Sequence, residues 1–141
     1  MPPKLGQIVE TILYTSSVPK LAGWYSSVMA IKPFISAPNF AAFSLPNNSI
    51  LLLFDRSTTL ATKHLPGGTI PAHGAENTKG QHIAFACDGK EGLAEWEEYL
   101  NSKGVEIEAR MNWERGGKSI YFRDADGHCL EIMTKGVWPM Y

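Results

Sequence analysis

Three side chains of this 141-residue chain have the type and placement to grip a metal ion: Glu10, His82 and Glu131. Each sits in a short run that reads as a β-strand, where successive side chains point to opposite faces. In the run from Ile8 to Thr15, one face takes Val9, Thr11 and Leu13, leaving Glu10 with Ile8, Ile12 and Tyr14 on the other. Between His82 and Cys87, Ile83 and Phe85 suit packing against a helix, while His82, Ala84 and Ala86 lie opposite and are small enough to leave open space. From His128 to Thr134, Leu130 and Ile132 share one face and Cys129, Glu131 and Met133 the other. Two carboxylates and an imidazole therefore project from faces turned away from the helices. Buried carboxylates without partners are costly, so two of them directed into one concavity need protons, bases or a cation. A divalent ion would satisfy all three groups.

The elements that carry these residues occur twice. After the first strand, Leu21, Trp24 or Tyr25, Val28 and Ile31 recur at helical spacing until Lys32-Pro33 stops the helix. Phe34–Ser36, Phe40–Leu45 and Ser49–Asp55 follow as three strands, the last two joined by a Pro46-Asn47-Asn48 turn. In the second half the strand His82–Cys87 leads into a helical stripe of Leu93, Trp96 and Leu100, with acidic residues near its start and Lys103-Gly104 at its end. Val105–Arg110, Lys118–Arg123 and His128–Thr134 complete three more strands, and Trp24 and Trp96 are expected in the core. Both halves spell βαβββ. The stretch between them is heavy in Thr, Gly, Pro and Ala, lacks either periodicity, and reads as a long connection. The expected organisation is a single α+β domain, 1–141, with module one at 1–56, a linker at 57–80 and module two at 81–141. A shift of 72 residues lays Leu21, Ala22 and Trp24 on Leu93, Ala94 and Trp96, and Glu10 on His82. Extra residues around Met111–Gly117 change the shift to 79, which lays Phe43 on Phe122 and Leu52 on Glu131.

Composition narrows the partners. Thirteen basic and fourteen acidic side chains leave a net charge of −1 with no like-charge block, which disfavours nucleic acid and anionic membranes. The longest apolar run is Ile50–Phe54, and MPPKLGQIVE has neither a basic n-region nor an apolar h-region, so a cytoplasmic protein is expected. Cys87 and Cys129 are too few for a disulfide scaffold and read as reduced thiols.

The segment GGKSIYFRDADGHCLEI, Gly116 to Ile132, resembles the signature hairpin of the vicinal oxygen chelate superfamily, which includes glyoxalase I, extradiol dioxygenases, fosfomycin and bleomycin resistance proteins and methylmalonyl-CoA epimerase. ETILYTSSVPKLAGWYSSVMAI and GQHIAFAC are similar to that family's first strand plus helix and its module-two ligand strand. The resemblance implies paired βαβββ modules, a mixed sheet curled into a cup with helices outside, and metal ligands at Glu10, His82 and Glu131. It also implies one divalent ion (Mn, Fe, Zn, Ni or Mg), a small-molecule substrate and a homodimer. Glu10 stands where many members have His, giving a harder donor set than the 2-His-1-carboxylate triad of oxygen-activating iron. Leu52 occupies the place of glyoxalase I's fourth, acidic ligand, which disfavours the glutathione-dependent reaction and leaves room for water or substrate. The cation-binding positions of fosfomycin enzymes are not recognisable in MTKGVWPMY, which disfavours that activity.

Around this centre, the strand alternation that buries Ile120 and Phe122 turns Ser119, Tyr121 and Arg123 into the cup. Tyr121 would lie near Glu131 and could bond an oxyanion or move a proton; the linker residue His73 could enter as an acid or base, as a lid residue. Tyr14, Leu52, Phe54, Ser119, Arg123 and Met133 are expected to contact substrate. Because Ile8, Ile12, Leu52, Phe54 and Met133 are apolar, that substrate is expected to be small and largely hydrophobic, with a few chelating oxygens. His64 reads as solvated and His128 as an exposed hairpin residue, while Trp113 would close the pocket or anchor its loop. The leading expectation is a metal-dependent enzyme that stabilises an enolate- or alkoxide-like intermediate, of isomerase, epimerase or lyase type. An Fe(II) ring-cleaving dioxygenase and a metal-free binding protein are the alternatives.

Overall fold

A computed structural model describes residues 2, 4, 7–74 and 81–141, and the chain forms two compact units, Met1–Glu76 and Asn77–Tyr141. In the first, β1 (Glu10–Thr15) leads into α1 (Val18–Ser27), and β2 (Pro33–Ser36), β3 (Phe40–Leu45) and β4 (Ser49–Asp55) follow. The sheet order is β1-β4-β3-β2, with β1 parallel to β4 and the other pairs antiparallel. One face carries Leu13, Ala41, Phe43, Leu51 and Leu53, all at most 1% exposed, which with Leu21 and Tyr25 of α1 form the buried core. Each such leucine stabilises the fold by roughly 1.5–3 kcal/mol. The opposite face keeps Glu10, Ile12, Tyr14, Leu52 and Phe54 exposed or half-buried. β5 (Lys63–Leu65) and β6 (Gly68–Ile70) pair as a short hairpin after this sheet.

The second unit repeats the plan with β7 (His82–Ala86), α2 (Gly89–Ser102), β8 (Ala109–Asn112), β9 (Lys118–Arg123) and β10 (Cys129–Met133). Its order, β7-β10-β9-β8 with β7 parallel to β10, matches the first sheet strand for strand. Ile120, Phe122, Leu130 and Ile132 are at most 2% exposed, and Leu93 and Leu100 of α2 are buried with them. The structure is thus α+β, with two mixed four-stranded sheets and neither closed into a barrel. Among the described residues no helix is long and apolar enough to cross a membrane.

Several local expectations are corrected. The first helix ends at Ser27, well before Pro33, because Ala30 adopts a left-handed conformation (φ 56°) and Ile31 N–H turns back to the Tyr25 carbonyl. Trp24 and Trp96 are half-buried, and the core place in α1 belongs to Tyr25, which meets Trp24 edge-on at 5.0 Å. The strand expected from Val105 starts only at Ala109, since Val105 N–H caps α2 through the Leu100 carbonyl after the left-handed Gly104. The linker is not featureless, because Pro66-Gly67 turns the β5–β6 hairpin. Of that linker, residues 75–80 lie outside the described residues. His128 is fully buried and not exposed. The Asp124 carboxylate accepts the backbone N–H groups of Asp126 and His128 and lies 2.7 Å from His128 Nδ1, so the turn folds the imidazole inward.

Candidate functional site

Parallel pairing of β7 with β10 sets Cys129 beside His82 and Glu131 beside Ala84. His82 Nδ1 lies 2.9 Å from the Cys129 carbonyl oxygen. A carbonyl only accepts, so Nδ1 carries the hydrogen and Nε2 is directed at Glu131. Nε2 lies 3.2 Å from Glu131 Oε1. A bare ring nitrogen and a carboxylate oxygen repel at that separation, so either a proton or a cation belongs between them. The spacing is compatible with two metal bonds of ~2.0–2.2 Å, and an imidazole whose second nitrogen is fixed by a carbonyl is the usual form of a metal-bound histidine. Glu131 is 3% exposed, and its Oε2 has no hydrogen-bond partner among the described residues. Such an orphaned anionic oxygen is costly unless a cation meets it. These residues fit a divalent ion in donor type and in unmet need.

Small neighbours keep the place open. Ala84 and Ala86 are exposed on the same face of β7, and His82 itself keeps about half its side-chain surface (49%). Tyr121 pairs with Glu131 across β9–β10, and its ring lies 6.1 Å from that of His82 at 25°. Burial first, and then the Glu131 carboxylate, pushes the phenol above its ordinary range, so Tyr121 keeps its proton at neutral pH. Ser119 and Met133 share this face but are buried, and Ser119 Oγ accepts the Trp113 indole N–H at 2.8 Å, which anchors the loop before β9. Arg123 is tied to Glu108 (Nε to Oε2, 2.6 Å) and to the Gly127 carbonyl, making it a brace across the hairpin.

The first unit holds a cleft of about 320 Å³ on the open face of its sheet. Ile12, Leu52, Phe40 and Phe54 form its apolar wall, and Glu10 and His73 both border it. In β1, Glu10 and Tyr14 are four residues apart on one face, a span of roughly 13 Å. Tyr14 Oη lies 2.5 Å from His73 Nδ1, and the His73 ring also meets Phe54 edge-on at 5.7 Å. Burial raises the Tyr14 phenol above its ordinary range. Leu52 faces the cleft at the position equivalent to Glu131, so this half lacks the second carboxylate. His64 is exposed on β5. Among the described residues, no group of three or more His, Cys, Asp or Glu side chains is placed to hold a metal ion. The structure joins His82 to Glu131, and Glu10 stands in the other unit's cleft. Both cysteines are free thiols, half-buried.

Sequence reasoning missed Lys63, Thr58 and Asn39, which also border the cleft. Lys63 belongs to the hairpin, whose Pro-Gly-Gly turn signal was present but whose three-residue strands are too short to show alternation.

A profile of the Glyoxalase/Bleomycin resistance protein/Dioxygenase superfamily matches residues 4–132. The chain belongs to that superfamily. A crystal structure of lactoylglutathione lyase from Agrobacterium tumefaciens superimposes with a TM-score of 0.84 at 27% identity, covering 98% of each chain. A glyoxalase/bleomycin resistance protein/dioxygenase from Nocardioides does so with 0.75 at 21% identity, covering 98% of this chain and 90% of that one. Metallothiol transferase FosB from Bacillus licheniformis is 30% identical over 116 residues, 82% of this chain and 66% of its own length. FosB from Staphylococcus saprophyticus is 44% identical over 54 residues, 38% of this chain and 35% of that protein. Superfamily members commonly use a divalent metal such as Mn, Zn, Ni or Fe, bind small molecules and often form dimers. The chain thus spans about a third and just under two thirds of the lengths of the two FosB proteins it matches.

Proposed function

We propose that the protein is a cytoplasmic, divalent-metal-dependent enzyme that binds a small, largely apolar substrate through vicinal oxygens and stabilises an enolate- or alkoxide-like intermediate, in isomerase, epimerase or lyase chemistry. The observation that carries this reading is the His82–Glu131 pair, with Nδ1 engaged by a carbonyl and a buried carboxylate oxygen left without a partner. His82, Glu131 and Glu10 would hold the ion, with Glu10 supplied by module one of the same chain or of a second copy in a homodimer. The ion when bound supplies Lewis acidity, polarising substrate oxygens. The chain's own groups do the rest. Tyr121, protonated at neutral pH beside Glu131, donates a hydrogen bond to an oxygen that gains charge, or delivers its proton there. Ile12, Leu52 and Phe54 present the apolar wall against which the substrate body packs and from which water is displaced. Tyr14 and His73 contact its far end, and Ser119 and Arg123 act through the walls they brace.

Thiol addition is a second reading, favoured by the 30% identity with metallothiol transferase FosB over 82% of the chain. Chelator-treated protein reloaded in turn with Mn, Fe, Zn, Ni or Mg, and incubated in heavy water with small α-hydroxy ketones and thiohemiacetals, tests the main reading by proton NMR. It predicts metal-dependent deuteration next to the carbonyl, lost in Glu131→Gln. Equal exchange in chelated and reloaded protein contradicts it; thiol consumption without C–H exchange transfers the assignment to the second reading.

A further inference from the structure

His73 is held unusually tightly for a residue on an exposed loop. Its backbone N–H donates to the buried Thr59's carbonyl at 2.9 Å, which closes the loop carrying the β5–β6 hairpin. Its ring packs edge-on against Phe54 with centroids 5.7 Å apart, and Nδ1 sits 2.5 Å from the Tyr14 hydroxyl. Pro71, Ala72 and Gly74 around it are exposed. Backbone and ring are thus each engaged, on a segment whose neighbouring residues are exposed. Among the described residues Nε2 has no partner, and His73 borders the cleft.

The direction of the Tyr14 bond decides what the ring can offer. A phenol is a good donor and, because its oxygen lone pair is delocalised into the ring, a weak acceptor; an sp² imidazole nitrogen is a good acceptor. The hydrogen between them therefore belongs to Tyr14, and burial, which raises the phenol above its ordinary range, keeps it there. A neutral imidazole that accepts at Nδ1 carries its own hydrogen on Nε2.

We propose that Tyr14 is a positioning residue that holds His73 as the Nε2–H tautomer, so that the cleft presents a hydrogen-bond donor for an acceptor oxygen at the end of the substrate remote from Glu10. This rests on the reading that the cleft takes a small organic substrate, and it narrows that substrate to one with oxygens at both ends: a chelating pair and, beyond an apolar middle packed on Ile12, Leu52 and Phe54, a carbonyl or carboxylate oxygen. A substrate ending in a hydroxyl or amine donor alone would not be selected by this end of the cleft.

Long-range ¹H–¹⁵N NMR of histidine-labelled full-length protein, at about pH 9 where imidazoles are neutral, reads the tautomer directly. The expected result is an Nε2–H signature for His73, and a change towards a mixture of tautomers in Tyr14→Phe while the amide spectrum shows an unchanged fold. Titration with 2-hydroxyadipate, which carries a hydroxy-carboxylate at one end and a carboxylate beyond a methylene chain at the other, is expected to shift the His73 ring signals saturably in the wild type, with loss of that shift in Tyr14→Phe. An Nδ1–H tautomer in the wild type, a ring state unchanged by Tyr14→Phe, or a His73 ring unmoved by 2-hydroxyadipate would each overturn the proposal. The wild-type tautomer alone decides the point should Tyr14→Phe fold poorly. Zinc binding measured calorimetrically on the same samples separates the two readings: without it the metal assignment fails while the tautomer result stands, and the reverse outcome is equally visible.

Discussion

Replacing Glu131 by Gln should move the stability of the metal-free and metal-bound protein in opposite directions. The carboxylate is 3% exposed and its Oε2 lacks a hydrogen-bond partner among the described residues, a situation that costs about 1–3 kcal/mol or more for a charged group. Glutamine keeps the shape and removes the charge. What is lost is the contact with His82, which retains 49% of its side-chain exposure, so the loss is screened to roughly 0–1 kcal/mol. The metal-free variant should then be more stable than the metal-free wild type by about 1 kcal/mol. For a chain of this size, that is a rise in Tm of about 3 °C. The metal should act the other way: at a hundredfold excess over Kd it stabilises the wild type by about 2.7 kcal/mol, roughly 9 °C, and this gain should largely vanish in the variant. Scanning calorimetry of both proteins, with chelator and with excess zinc, measures all four values. A metal-free variant less stable than wild type, together with an undiminished zinc shift, would refute the reasoning that the buried carboxylate is held in readiness for a cation.

Other expectations follow from the same packing. Asp124→Ala should destabilise the protein by about 3–5 kcal/mol in urea unfolding, because it takes a buried carboxylate partner from the fully buried His128 imidazole and frees two backbone N–H groups; a loss under 1 kcal/mol would show that the turn does not depend on this carboxylate. Gly117→Ala should be among the most damaging single substitutions, since the added Cβ would fall 2.5 Å from the Gly136 carbonyl carbon, which is backbone and cannot swing aside; thermal melting is the check. Tyr14 and Tyr121 have folded-state values raised above the ordinary tyrosine value of about 10, so the unfolded chain ionises first. Their contribution to stability should be intact below pH ~10 and fall as pH rises through the raised values, seen as late tyrosinate absorbance accompanied by unfolding.

Much of the fold was legible because each module repeats a short pattern of alternating strands and one amphipathic helix. Ser49–Asp55 and Lys118–Arg123 read cleanly, since leucines at 51 and 53 and the pair Ile120 and Phe122 alternate without interruption. The edges were harder. Val105 looks like a strand start by composition, yet its N–H is spent on the helix end, a competition that propensity does not weigh. His128 follows an Asp-Gly turn that reads as exposed, and the reach of Asp124 back onto three donors pulls it inside. At the site, strand alternation placed Glu131 and Tyr121 on one face as paired neighbours, and the parallel register brings His82 to Glu131. The Tyr14–His73 bond links residues 59 apart through a loop without periodicity, so no local pattern could have signalled it.

Metal stoichiometry tests the central claim most directly. Protein stripped with chelator, dialysed to equilibrium against zinc or manganese and analysed by elemental mass spectrometry should hold one ion per chain, and Glu10→Gln, His82→Ala and Glu131→Gln should each lower that occupancy at limiting metal. Wild-type protein that holds no ion, or three variants that hold it as tightly as the wild type, would contradict the account.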